Sequence, residues 1–249
     1  MQIDPNKFNF QAGEILVFDK PLDWTSFDLV NKVRHHVCKR MHIKKLKVGH
    51  AGTLDPKATG LMVICTGKVT KDIDFIQAAE KEYIATLKIG ATTPSFDLET
   101  EEDQIFEASH IDEKLIREVL LQFIGTIEQV PPGFSAIKVD GKRAYELARK
   151  GKALELKAKT LVIKEIELLE YTAPEAKLRI VCSKGTYIRA LARDIGYALG
   201  SGAYLTGLIR TRVGDYTLDS AWQISDFMDE VSAFARIDRQ ENEETNKTA

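Results

Sequence analysis

The stretch "GHAGTLDPKATG" at residues 49–60 places one carboxylate, Asp55, among three glycines, a proline and a histidine. Glycine costs backbone entropy and is used where the chain must turn or be approached closely. Pro56 disfavours the helical region for Asp55 and removes a donor just after it. Asp55 is therefore expected in an extended-to-turn loop rather than within a helix. Such loops, held by a rigid scaffold, are where binding and catalytic groups gather. A carboxylate presented this way can act as a nucleophile, as a base, or by stabilising positive charge. The same composition also makes an Asp-Pro turn that only joins two elements.

The chain around this loop has 249 residues, 44% of them hydrophobic and 29% charged. That suffices for a sizeable core without disulfide staples. Cys38, Cys65 and Cys182 are few, odd in number and far apart, so neither a zinc site nor a disulfide framework is suggested. No leader and no membrane-length apolar run is visible, and a cytoplasmic location is expected. Net charge is −2, yet the charges segregate. Seven Lys/Arg and no acid lie between Lys32 and Lys47, and nine basic against three acidic residues lie between Lys138 and Lys164. From Arg179 to Arg212 six basic residues face one acid, Asp194. This pattern builds either a basic face for a polyanion or ordinary solvated surfaces.

Periodicity gives the elements that must hold the loop. Strands are expected at 13–21, 61–67, 81–90, 154–170 and 176–183, and strand–turn–strand units at 125–141 and 203–218. Helices are expected at 26–39, with Phe27, Val30, Val33 and Val37 as its apolar stripe, and at 69–80, 112–125, 142–151, 186–200 and 224–235. Ser26 or Thr25 caps the first. Residues 93–104 read as a polar, acidic, flexible excursion, and the tail from Arg239 as disordered. Strands outnumber helices without strict alternation, so the fold class is α+β around a mostly antiparallel sheet.

Four segments together resemble the TruB family of tRNA pseudouridine synthases: "LVFDKPLDWTSFDLV" (16–30), "VGHAGTLDPKATGLMVICTGKVTK" (48–71), "KEYIATLKIGATTPSFDLET" (81–100) and "CSKGTYIRALARDIGYALGSGAYLTGLIRTRVG" (182–214). "PPGFSAIKVDGKRAYELARKG" (131–151) is similar to the family's RNA-gripping insertion. Ala51 and Thr53 depart from the family's frequent Gly-His-Thr-Gly-Ala-Leu-Asp-Pro. The resemblance implies the pseudouridine synthase fold, a mixed, mostly antiparallel sheet flanked by helices and RNA-binding insertions. It implies a catalytic domain over 13–225 with the insertion at about 126–152. A short extension at 1–12 precedes it, and 226–249 form a short helix and acidic tail with no RNA-binding PUA domain.

The implied reaction isomerises uridine to pseudouridine in the T-arm loop of tRNA, at the uridine conventionally numbered 55. It uses no metal, redox cofactor or energy donor. By resemblance Asp55 promotes glycosidic cleavage, Arg189 is its ion-pair partner, and Tyr83 stacks on the flipped base and assists the final proton removal. His50 holds the opened RNA loop, Tyr187 lines the pocket, and Lys20 has a structural or phosphate role. Tyr187, two residues from Arg189, can join it only if the helix starts irregularly there. Lys138, Lys142, Arg143, Arg149 and Lys150 are the candidates for phosphate contacts. His35 and His36 are read as surface or RNA-facing residues. A monomer bound to the tRNA T-stem-loop, away from any membrane, is expected. A guide-RNA-dependent relative and an RNA-folding factor are the competing readings.

Overall fold

Thr25 opens the first helix with a reciprocal cap. The Asp28 N–H donates to its hydroxyl, and its own N–H donates to the Asp28 carboxylate at 2.9 Å. The computed structural model in which this is seen describes residues 8–135, 138–139, 142–144 and 156–248. The chain divides into two units, one made of Met1–Ala79 with Arg210–Ala249 and the other of Glu80–Ile209.

The first unit begins with β1 (Ile15–Lys20), α1 (Ser26–Arg40), β2 (Val48–His50), β3 (Thr59–Thr66) and α2 (Ile73–Ala78), the last entered through a 3-10 turn at Gly67–Asp72. β3 pairs antiparallel with β1, Lys20 facing Gly60, and with β2, His50 facing Ile64. It is buried from Gly60 to Thr66, which is why "LMVICTG" reads as one apolar run. One face packs Leu61, Val63 and Cys65 against Ala51, Ile76 and Val213. In α1, Val30, Val33 and Val37 are buried as expected, but Phe27 is 62% exposed. Leu29, one turn before Val33, takes its place in the stripe.

The second unit runs β4 (Lys81–Ile89), β5 (Ala91–Thr92), β6 (Gln104–Ile105), α3 (Glu113–Leu120), β7 (Gly125–Gln129), β8 (Lys138–Val139), β9 (Lys142–Arg143), β10 (Lys159–Thr172), β11 (Glu175–Cys182), α4 (Ile188–Ala198) and most of β12 (Ala203–Val213). Its sheet has the order β12-β4-β11-β10-β7. Within it β4–β11, β11–β10 and β10–β7 pair antiparallel, as do β5–β6 and β8–β9. Strict alternation in β4 buries Lys81, Tyr83, Ala85, Leu87 and Ile89 on one face. Ile188, Leu191, Ile195 and Leu199 are the buried stripe of α4 and its cap, as the periodicity implies. Lys142 and Arg143, expected in a helix, lie in strand β9 opposite Val139 and Lys138, because the Asp-Gly pair between the arms favours a hairpin. Arg149 and Lys150 lie outside the described residues.

β12 crosses at Ile209–Arg210 from the second unit to the first, which closes with β13 (Tyr216–Thr217) and α5 (Ile224–Thr248). Phe18, Trp222 and Phe227 pack ring edge to ring face there, Phe18 and Phe227 at 4.9 Å. His36, read as surface or RNA-facing, instead ties α1 to α5, with Nε2 2.9 Å from the Met228 carbonyl and 3.2 Å from Ser232 Oγ. α5 continues to Thr248 through the stretch read as a disordered tail. Glu, Gln, Lys and Arg favour helix even where the segment is polar all round. Among the described residues no helix is long and apolar enough to cross a membrane.

Candidate active site

Asp55 sits half-buried in irregular backbone just before a turn, as its glycines and proline require. Gly52 and Gly60 bracket the loop with φ of 109° and 101°, where other residues are strained. The backbone between them is held at consecutive residues. Arg210 donates to the carbonyls of Gly52 (3.2 Å) and Thr53 (3.3 Å). Ser26, the first residue of α1, accepts from the Leu54 N–H at 2.8 Å and donates to its carbonyl at 3.0 Å. The Asp55 carbonyl accepts from Ala58, and that of Pro56 accepts from the Asp23 N–H at 2.9 Å. Fixed backbone on both sides of Asp55 presets its carboxylate, the kind of positioning that catalysis rewards.

Lys20, fully buried at the end of β1, donates to the carbonyls of Pro21 (2.8 Å) and Trp24 (2.7 Å). Burial lowers its pKa to about 8, opposed most strongly by the negative charge of Asp55. The structure therefore brings Lys20 and Asp55 together electrostatically, and this lysine braces backbone rather than reaching outward. His50 leaves β2 five residues before Asp55. Burial, then the positive charge of Arg210, lowers its pKa from the usual histidine value. Its Nδ1 is buried and, among the described residues, has no hydrogen-bond partner.

The second unit holds Tyr83, Arg189 and Tyr187. Tyr83, opposite Ile180 on β4, is 8% exposed. Arg189 is the second residue of α4 and is also buried. It donates to the carbonyls of Ser95 (3.1 Å) and Phe134 (2.9 Å), and its Nε lies 3.4 Å from the carboxylate of Asp97. Tyr187 is the N-cap of α4, with φ −96° and ψ 107°, so it lies just outside the helix in extended backbone. Buried Gln129 fixes it there, accepting from the Tyr187 N–H at 2.9 Å and donating to its carbonyl at 3.2 Å.

Asp97, Gln129 and Arg210 were not among the residues singled out from sequence, and Ser26 was read there only as a helix cap. Asp97 lies in the segment expected to be a flexible excursion, and the first half of that segment is the opposite. Thr93 and Ser95 donate to the Asp97 carbonyl, Ser95 and Thr100 share a hydrogen bond, and the Glu99 N–H caps the Asp97 carboxylate. Polar side chains that satisfy one another close a loop that composition marks as solvated. The alternation of hydroxyls at Thr93, Ser95 and Thr100 around Asp97 was the available signal. Next to it, Phe96 has φ +62° with the Arg193 guanidinium 4.9 Å above its ring.

A cleft of about 350 Å³ in the first unit is lined by Lys45, Lys47, Lys68 and Lys71, with no carboxylate in its wall. Lys45 and Lys47 belong to the basic run seen in the sequence; Lys68 and Lys71 join them through the 3-10 turn after β3. Such a cleft favours phosphate oxygens.

A family model described as TruB family pseudouridylate synthase (N terminal domain) matches residues 39–188, and one for the tRNA pseudouridylate synthase B C-terminal domain matches 189–244. The tRNA pseudouridine synthase B of Phocaeicola vulgatus is 64% identical over 95% of this chain and 98% of its own. That of Bacteroides thetaiotaomicron is 61% identical over 96% and 99%. Among solved structures, a Cbf5-Nop10-Gar1 complex matches with a TM-score of 0.67 and 26% identity over 94% of this chain. The archaeal box H/ACA sRNP Nop10-Cbf5 complex matches at 0.65 and 25%, also over 94%. The chain spans only 63% and 62% of those two solved chains. With relatives matched end to end and a family model over more than half the sequence, the chain belongs to the TruB family of pseudouridylate synthases and isomerises uridine to pseudouridine in tRNA.

Proposed function

We propose that the enzyme acts as a monomer on the T-arm loop of tRNA, at the uridine conventionally numbered 55, with Asp55 as the catalytic carboxylate. The observation that carries this reading is the Asp55 loop, whose backbone is fixed from Gly52 to Pro56 while Asp55 itself is only half-buried. The target uridine leaves the loop stack before reaction. The bond from the ribose to the base nitrogen breaks with help from Asp55, the base turns, and a bond forms between the ribose and carbon 5. The carbon 5 proton then leaves with assistance from the Tyr83 hydroxyl. Arg189 serves Asp55 as a counter-charge, and its guanidinium is itself held by Asp97. His50 meets the opened RNA loop. Tyr187 lines the pocket. Lys138, Lys142, Arg143, Arg149 and Lys150, with the four-lysine cleft, take phosphates.

Tritium release from tRNA transcribed with 5-tritiated uridine tests the reading, since rejoining through carbon 5 expels that hydrogen. Wild type is expected to release about one equivalent per tRNA, and Asp55→Asn none, with folding and tRNA binding intact. Turnover by Asp55→Asn removes Asp55 from its role. Binding without release by wild type leaves the RNA-folding reading.

A further inference from the structure

Arg210 is among the largest fully buried side chains of the described residues, 1% exposed, and neither the family resemblance nor the reaction assigns it a role. Its Nε donates to the Leu61 carbonyl at 2.7 Å, and its two terminal nitrogens reach the Thr53 and Gly52 carbonyls. The first bond is made six residues after Asp55 and the other two just before it, so one planar fork spans both arms of the loop. The backbone of Arg210 is seated as tightly as its side chain. A Cβ on Gly60 would come within 2.4 Å of the Arg210 carbonyl oxygen, so the loop's closing glycine is matched to this residue.

Burying a guanidinium is costly unless its donors are satisfied, and an apolar side chain would fill the same space without that cost. What the guanidinium supplies is geometry: several donors at fixed angles, which an ammonium lacks. It also supplies charge, for its positive field opposes protonation of both Lys20 and His50, which precede Asp55 in the sequence.

We propose that Arg210 is a positioning residue for the isomerisation: through the carbonyls of Gly52, Thr53 and Leu61 it sets the place of the Asp55 carboxylate, and so the rate of the chemical step rather than the affinity for RNA. The inference rests on the reading of Asp55 as the catalytic carboxylate. Arg210 acts through the loop and is not itself placed against substrate.

The test compares wild type, Asp55→Asn, Arg210→Gln and Arg210→Lys in single-turnover tritium release at saturating tRNA. Filter-binding Kd for the same tRNA and thermal unfolding are measured beside it. Folded Arg210→Gln is expected to lose about 100-fold in rate, the scale of a misplaced reacting group, with Kd unchanged. Arg210→Lys, which keeps the charge but not the fork, is expected to be slow as well. Guanidinium ion at millimolar concentration is expected to restore rate to Arg210→Ala and to leave wild type unaffected. Wild-type rates from folded Arg210→Lys overturn the proposal. So does a rate loss that follows only the unfolded fraction, which makes Arg210 a core residue; if Arg210→Gln does not fold, Arg210→Lys decides alone. Failure of wild type to release tritium overturns instead the reading of the site, and this inference with it.

Discussion

Asp97 and Arg189 form a buried ion pair whose side chains are 7% and 5% exposed. Removing one partner of such a pair strands a charge away from water. Asp97→Asn is therefore expected to destabilise the protein by about 3 kcal/mol, read as a lowered urea midpoint at unchanged slope. It should also slow turnover, because the guanidinium loses the group that orients its Nε. A wild-type midpoint would mean that the pair with Asp97 adds nothing to what holds the arginine. Asp55 was legible in sequence because glycine and proline declare a special backbone wherever they stand. Asp97, Gln129 and Arg210 were not, because their roles consist of what they touch. An aspartate in an acidic stretch and an arginine in a strand look like surface until the carbonyls around them are known.

Strands and helices were largely legible because burial imposes its period on the side chains, two in β4 and 3.6 in α4. What failed were segments whose structure does not come from an apolar face. The Thr93–Thr100 loop is closed by hydroxyls and backbone, and the end of α5 is carried by helix-forming polar residues. Gly60 shows how an element can depend on one missing atom. In Gly60→Ala both the φ of 101° and the approach to the Arg210 backbone count against the change, and a loss of about 3 kcal/mol or more is expected by denaturation. Gly125 has a similar φ of 97° but nothing within 4 Å of a Cβ. Gly125→Ala should then cost only the conformational part, about 1–2 kcal/mol. Equal losses for the two would assign the whole effect to φ and none to close approach.

For the whole molecule, charge placement outweighs the net value of −2. If the basic arms at 138–143 contact phosphates, Lys138→Gln with Lys142→Gln should reduce the slope of log affinity against log salt by roughly 1.5 to 2. An unchanged slope would move those contacts to the four-lysine cleft. Acid should weaken the fold through two histidines. His36 and His50 both hold protons less well than the usual 6.5, chiefly through burial. The unfolded chain therefore binds protons that the native state refuses, and stability is expected to fall as pH drops below about 6.5. His36→Gln should flatten that slope by one histidine's share in denaturation run from pH 7 to pH 5, and an unaltered slope would exclude His36 as a source. The segregation of basic runs was visible in the sequence. Their assembly with Lys68 and Lys71 into one cleft was not, since it depends on the turn after β3. One consequence belongs to biosynthesis. Arg210, which clamps the Asp55 loop, is the first residue of the stretch that completes the first unit, and Glu80–Ile209 emerge before it. At about 5–20 residues per second, the ribosome delivers that donor roughly 6 to 26 s after residue 79. Through that interval the carbonyls of Gly52, Thr53 and Leu61 wait for their partner, so the nascent enzyme gains its preset carboxylate only after the whole second unit has been made.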